Sequence, residues 1–271
     1  GCEAPVPRHA GELGRPARGR LQRASPLNRG SSVKYYDITS TRLADTAAES
    51  VGNRGAEQAA LESHLQALQE HYGESRRTGA AIKDLADLKL QMARTLVGLG
   101  RGEDAWPLAR ESLDTFVESE DYESAADACD VLFQAEQPQS LCALGQGIWL
   151  AVTYPIDPEL SVELLTHVVD ETPDDADGAA VAATTALFLA DMRASGSQRD
   201  NLMFFATQIL GNVARRHSGI DNQAAFDLWM DRLELKEPEK FLVRLRNVVD
   251  VLVQDNWWFD REALHANLPV N

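Results

Sequence analysis

The fold class is decided by residues 82–99, IKDLADLKLQMARTLVGL. The apolar side chains of this stretch recur every three or four residues, which places them on one face of an α-helix. They are Ile82, Leu85, Leu88, Met92, Leu96 and Leu99. Gly100-Arg101-Gly102 then predicts the end of the helix, because glycine is favoured just past a last helical turn. The stretch therefore predicts an amphipathic helix with one buried face.

The same periodicity continues on both sides of this stretch. Further helix starts are predicted near residues 103, 122, 139, 158, 177, 200, 221 and 238, at intervals of about 20 residues. Leu61, Leu65 and Leu68 mark a short helix ending near Tyr72-Gly73, and an alanine-dense helix from 178 to 194 is expected to be central. The only strand candidate, residues 33–39, is weak. We predict an all-α fold of stacked antiparallel helical hairpins, with a compact helical bundle as the alternative.

One turn of this pattern resembles the tetratricopeptide-like superfamily of helical repeats. The resemblance rests on small residues around the turn near residue 100, and Asp121-Tyr122-Glu123-Ser124-Ala125 looks like the same turn again. The first set is Met92-Ala93, Gly100, Gly102-Glu103-Asp104-Ala105, Ala109, Ser112 and Leu113. The sequence departs from the family pattern in three ways over residues 88–125. The two turns are about 20 residues apart, whereas the family repeats every 34 or so. Lys89 stands where a large apolar residue is usual, and no proline closes the repeat near Val117. The resemblance implies an α-solenoid that binds a protein or peptide.

Charge is distributed unevenly between the N-terminus and the rest of the chain. Residues 1–33 contain six arginines and two acidic residues among many prolines and glycines, whereas the whole chain has a formal net charge of −16. The composition predicts a flexible basic tail, because it offers little apolar surface to bury. Residues 34–56 are interpreted as a linker or irregular segment, and residues 57–271 as one helical domain. The tail is open to three functional interpretations: an arm for an acidic partner or for the chain's own body, the end of a lipoprotein signal, or a transit segment. The non-functional alternative, which we favour, is an extension outside a folded unit that begins near residues 33–36.

The overall composition excludes some classes of function. The acidic balance argues against nucleic-acid binding, which depends on neutralising phosphates. No stretch approaches the roughly 18 apolar residues of a membrane-spanning helix, so no membrane contact is expected. Three scattered cysteines are too few for a disulfide framework and favour a cytoplasmic setting.

Two groups of residues are candidate sites. Trp257, Trp258 and Phe259 are consecutive large aromatic residues, which either close the last hydrophobic layer or contact a partner protein. Glu163, His167 and Asp170 are spaced by four and three residues, so they share one face of a helix. That polar cluster would suit a site in an enclosed cavity, although an exposed acidic face is the commoner reason for such spacing.

The sequence contains no catalytic signature, and we expect no cofactor and no metal. The leading hypothesis is a non-enzymatic scaffold, adaptor or assembly chaperone that binds a partner protein with a basic surface in a helical groove. The alternative is an all-α enzyme or a small-molecule-binding regulatory protein. A further alternative is an acidic subunit that forms a homodimer through its tryptophan-rich end.

Overall fold

The structure is a computed structural model that describes residues 47–266 and 268, with side chains from residue 55 onward. The predicted tail, the strand candidate at 33–39 and residues 34–46 of the predicted linker lie outside the described residues. The described residues form helices joined by short turns and contain no strand, which confirms the all-α prediction. Its helices are α1 (Ala47–Thr78), α2 (Ile82–Gly98), α3 (Gly102–Glu118), α4 (Tyr122–Gln134), α5 (Ser140–Thr153), α6 (Pro158–Glu171), α7 (Asp177–Arg193), α8 (Gly196–Ser218), α9 (Gln223–Arg232), α10 (Pro238–Val253) and α11 (Arg261–Ala266).

The helices pack in chain order. Each helix from α1 to α7 contacts the helix that follows it, and the even-numbered helices α2, α4, α6 and α8 also contact one another in turn. The helix α10 departs from this order, because it returns to pack against α5 and α7. No helix of the described part is long and apolar enough to cross a lipid bilayer.

The first helix is longer than predicted. A short helix ending near Tyr72-Gly73 is wrong, since α1 continues to Thr78 and begins at Ala47, within the stretch interpreted as a linker. The helix does not break at Gly73, because a single glycine costs only about 1 kcal/mol in a helix. Arg76 and Arg77 in its last turn interact favourably with the helix dipole.

Two ends of the later helices, the start of α6 and the end of α8, follow the predicted capping chemistry. Asp157 accepts hydrogen bonds from the backbone N–H groups of Glu159 and Leu160 at the start of α6. Gly219 ends α8 in the left-handed conformation, with a φ of 63°. The predicted start of α8 at Asp200 is wrong, because the helix begins at Gly196.

The core lies around α5 and α7. Ten of the 14 residues of α5 are buried. The alanines for which α7 was predicted to be central are buried as well. Two glycines allow close packing on α5. A Cβ at Gly145 would lie 2.7 Å from a Val253 methyl carbon, and one at Gly147 would lie 2.8 Å from the Cys129 Cβ. The helices α10 and α4 therefore approach the α5 backbone directly.

Candidate functional site

Four carboxyl groups lie on three helices that contact one another in turn. Asp87 is on α2, Asp127 and Asp130 are on α4, and Glu163 is on α6. We call this set the acidic face. The amphipathic character of each helix places these residues beside its buried stripe, so that Asp130 is buried and the other three are half-buried.

Asp130 is the most deeply buried member of the acidic face and has the most hydrogen-bond partners. Its side chain is 1% exposed, and its Oδ1 lies 3.0 Å from His167 Nε2. Gln134 donates a hydrogen bond of 2.5 Å to Oδ2 of the same carboxylate. Arg94 pairs with Asp127 and lies 3.8 Å from Asp130. A buried carboxylate requires such partners, because an unpaired buried charge is strongly unfavourable.

The remaining carboxyl groups of the acidic face are less well compensated. Burial, together with repulsion from neighbouring carboxylates, raises the pKa values of Asp87, Asp127 and Glu163 above their ordinary range. Among the described residues, Asp87 and Glu163 form no ion pair and no side-chain hydrogen bond. The face therefore carries an excess of negative charge that a bound cation would stabilise.

His167 supplies one positive charge to this face when it is protonated. Burial alone lowers the pKa of His167, but the hydrogen bond to Asp130 and the nearby carboxylates outweigh burial, so the pKa is raised above 6.5. The imidazole also packs against the ring of Phe133, with 4.6 Å between the ring centroids. This packing fixes the position of the ring beside Asp130.

The predicted polar cluster is only partly assembled. Glu163 and His167 are half-buried and face Asp130, whereas Asp170 is exposed and lies outside this group. Ligand atoms of Asp130, Glu163 and His167 all lie within 4.8 Å of one another, a set that is chemically able to hold a divalent cation. The arrangement can equally hold an ammonium or guanidinium group, because each of these cations pairs with carboxylates.

Asp130 is a site residue that the sequence analysis misses. It is 37 residues from His167 in the chain, and the contact arises only when α4 packs beside α6. A signal is nevertheless present. Asp130 stands within an otherwise apolar run, Ala128, Cys129, Val131 and Leu132, and an acidic residue inside such a run is usually paired when it is buried.

The aromatic triplet is packed against its own chain. Trp257 and Phe259 contact Trp149 of α5, with centroid separations of 5.9 and 5.6 Å, while Trp258 contacts Trp106 of α3 at 6.1 Å. Two cations cover the outer side of the triplet: Arg110 lies over Trp258 and Arg261 over Trp257. All three aromatics are half-buried. The packing is that of a hydrophobic cap, and contact with a partner protein stays a prediction.

A surface groove lies beside the aromatic cap, between α5, α10 and α11. Its volume is about 510 Å³; Trp149 and Val152 form one wall, and Leu245 and Val249 form another. Arg261 lies at its edge. Glu163 and His167 do not line this groove, so the polar cluster and the groove are separate features of the molecule.

Comparison with known proteins does not extend these observations. No protein-family model, no curated protein and no solved structure matches the chain.

Proposed function

We propose that the helical domain is a non-enzymatic scaffold, an adaptor or assembly chaperone, that binds a basic segment of a partner protein along the acidic face. The observation that carries this proposal is that two half-buried carboxyl groups, Asp87 and Glu163, have no ion-pair or hydrogen-bond partner among the residues whose side chains the structure describes. Their pKa values are raised by burial and by neighbouring carboxylates. Such groups cost stability in the free protein, and an arriving lysine or arginine side chain would relieve that cost.

The order of helix contacts supports a long binding surface. The helices α2, α4 and α6 contact one another in turn, so their acidic residues form a row from Asp87 through Asp127 to Glu163. This is the arrangement expected if the hairpins stack as a tetratricopeptide-like solenoid, in which every second helix lines one surface. An extended basic segment would lie across such a row. The net charge of −16 would also steer a basic partner toward the molecule.

The experiment compares two variants of equal charge change. Asp87→Asn/Glu163→Gln removes the two unpaired carboxylates of the acidic face, while Glu103→Gln/Glu118→Gln removes two exposed carboxylates of α3. The probe is a fluorescent hexa-arginine peptide, and the readout is its dissociation constant by anisotropy at two salt concentrations. We expect the first variant to bind about tenfold more weakly, while the control changes affinity less than twofold.

The two variants separate site binding from general attraction. Equal weakening by both would mean that the peptide senses only net charge, and the proposal would then fail. The first variant should also be as stable as the wild type or more stable, because it removes repulsion. A loss of binding accompanied by a lower Tm would contradict the idea that these carboxylates are held for a ligand.

The alternative of a small-molecule-binding or enzymatic protein has one specific observation in its favour, the proximity of Asp130, Glu163 and His167. A titration with Zn²⁺ or Mn²⁺ followed by calorimetry tests it. Saturable binding at one site per chain, lost in His167→Gln but retained in the α3 control, would favour this alternative over the scaffold.

A further inference from the structure

The outer surface of α8 is unusual for this acidic chain. Residues 201–214 contain no charged side chain on any side of the helix, and we call them the charge-free stretch. Two large aromatics on it face solvent: Phe204 is 70% exposed and Phe205 is 41% exposed. Helices α7 and α6 cover the opposite side of α8. The solvent-facing side of a helix ordinarily carries charged or polar side chains, so this exposed apolar surface is suited to contact.

Opposite charges stand at the two ends of the charge-free stretch. Asp200 precedes it and Arg215 follows it, and both are exposed. Neither forms an ion pair among the described residues, although the neighbouring Arg199 pairs with Asp191 and Arg215 donates a hydrogen bond to Asn212. The surface is thus acidic, then apolar, then basic along the helix. Such a pattern is complementary to a second copy of itself in antiparallel orientation.

We propose that two copies of this chain form a symmetric dimer through antiparallel packing of α8, with the two-fold axis at Gln208. In this register, a residue that lies a given number of positions before Gln208 faces the residue that lies the same number of positions after Gln208 in the partner helix. Phe205 then faces Gly211, where a Cβ would meet nothing within 4 Å and an aromatic ring has room. Asp200 of each copy comes within one turn of Arg215 of the other, which gives two ion pairs between the copies.

Self-association through this surface also agrees with the charge of the chain. Two copies with a net charge of −16 each repel one another, and the cost is least where the touching surfaces carry no charge. The proposal is independent of the acidic face, since Asp87, Asp127, Asp130 and Glu163 lie on other helices.

Cysteine crosslinking tests the register. In a Cys2→Ser background, the remaining native thiols Cys129 and Cys142 are buried. Gln208→Cys places the two new thiols together at the two-fold axis. The control Asn201→Cys lies on the same side of α8, but residue 201 faces residue 215 of the other copy. The two thiols of the control are therefore about 21 Å apart, because 14 helical residues at about 1.5 Å each separate them along the helix axis. We expect mild oxidation to convert Gln208→Cys to a covalent dimer at least tenfold faster than Asn201→Cys. Equal rates would overturn the proposed register.

Sedimentation velocity tests the association itself. We expect the wild-type chain to dimerise at micromolar concentration, and Phe205→Glu to weaken dimerisation at least tenfold without changing the circular-dichroism spectrum at 25 °C. Asp200→Arg and Arg215→Asp should each weaken dimerisation, because each places like charges close together across the interface. The double exchange Asp200→Arg/Arg215→Asp should restore dimerisation, because residue 200 of one copy lies beside residue 215 of the other and opposite charges then meet again. A monomer at 100 µM wild-type protein, or a double exchange no better than the single variants, would overturn the proposal.

Discussion

The helix α5 and the charge-free stretch of α8 have the same kind of sequence and different surroundings. Both lack charged side chains. The helices α4, α6 and α10 surround α5, so most of its residues are buried, whereas α8 is covered on one side by α7 and α6. A helix without charges signals burial on all sides. The comparison teaches that the absence of charged residues does not by itself mean that the rest of the same chain covers the helix.

The largest effect that tests this comparison is expected from a glycine of α5. In Gly147→Ala the new methyl group would lie 2.8 Å from Cys129 Cβ and 3.2 Å from a Leu164 methyl group. Overpacking of this kind exceeds the gain in helix propensity, so we expect the free energy of unfolding to fall by about 2–3 kcal/mol. Urea unfolding followed by circular dichroism measures the change.

The matched control is the glycine of α8. Gly211→Ala meets nothing within 4 Å, so it should raise the free energy of unfolding by about 0.5–1 kcal/mol through helix propensity alone. The measurement is made in the Phe205→Glu background to keep the chain monomeric. A fall in the free energy of unfolding for Gly147→Ala and a rise for Gly211→Ala would support the contrast between a covered and an uncovered helix. A fall for both variants would contradict it.

A second, smaller effect is expected from the glutamines of the two helices. Gln146 of α5 is fully buried, and its Oε1 accepts a 2.9 Å hydrogen bond from the backbone N–H of Trp258. Gln146→Leu keeps the side-chain volume but leaves that N–H unpaired, so we expect a loss of about 1–2 kcal/mol. The emission of the tryptophans in the aromatic cap should shift to longer wavelength as the cap loosens.

Gln208 of α8 is the control for this prediction. It is exposed and makes no side-chain hydrogen bond among the described residues, so in the monomeric Phe205→Glu background Gln208→Leu should change the free energy of unfolding by less than about 0.5 kcal/mol. The same substitution should tighten the proposed dimer, because it adds apolar area at the axis. An equal loss of stability at both positions would mean that α8 is as enclosed as α5.

Much of the fold could be predicted from the sequence, because helix periodicity and capping are local properties. The starts of α3, α4, α6 and α7 fall within a residue or so of their predicted positions, and Gly219 ends α8 as expected. The full length of α1 could not be predicted in this way. Its first residues have no apolar face, so no periodic pattern marks them, and only helix propensity favours a helix there.

The candidate site was less accessible to sequence reasoning. The spacing of Glu163 and His167 correctly placed them on one side of α6, since that relation is local. Their contact with Asp130 depends on how α4 packs beside α6, and no local pattern encodes that contact. The same holds for the aromatic cap: three consecutive aromatics indicate several neighbours, but only the fold shows that these are Trp149 and Trp106.

The smallest predicted effect concerns the acidic face, where charge is retained despite partial burial. Asp87 lies near Lys83 and Asp84 on its own helix and near Asp121 and Asp127 from α4 and the turn before it, and its pKa is raised above 3.8, chiefly by burial. A raised carboxyl pKa means that ionisation costs more in the folded than in the unfolded state. That cost is present above the folded-state pKa and absent below 3.8.

Asp87→Asn should therefore raise the Tm by about 1–2 °C at pH 7 and leave it unchanged at pH 3. Differential scanning calorimetry across this pH range measures the difference, with Glu103→Gln as the exposed control that should show no such pH dependence. A lower Tm for Asp87→Asn at neutral pH would show that Lys83 stabilises the ionised carboxylate after all. In that case the acidic face would be a set of ordinary ion pairs without excess negative charge to attract a basic partner. The exposed side of α8 would then remain the candidate surface for contact with another chain.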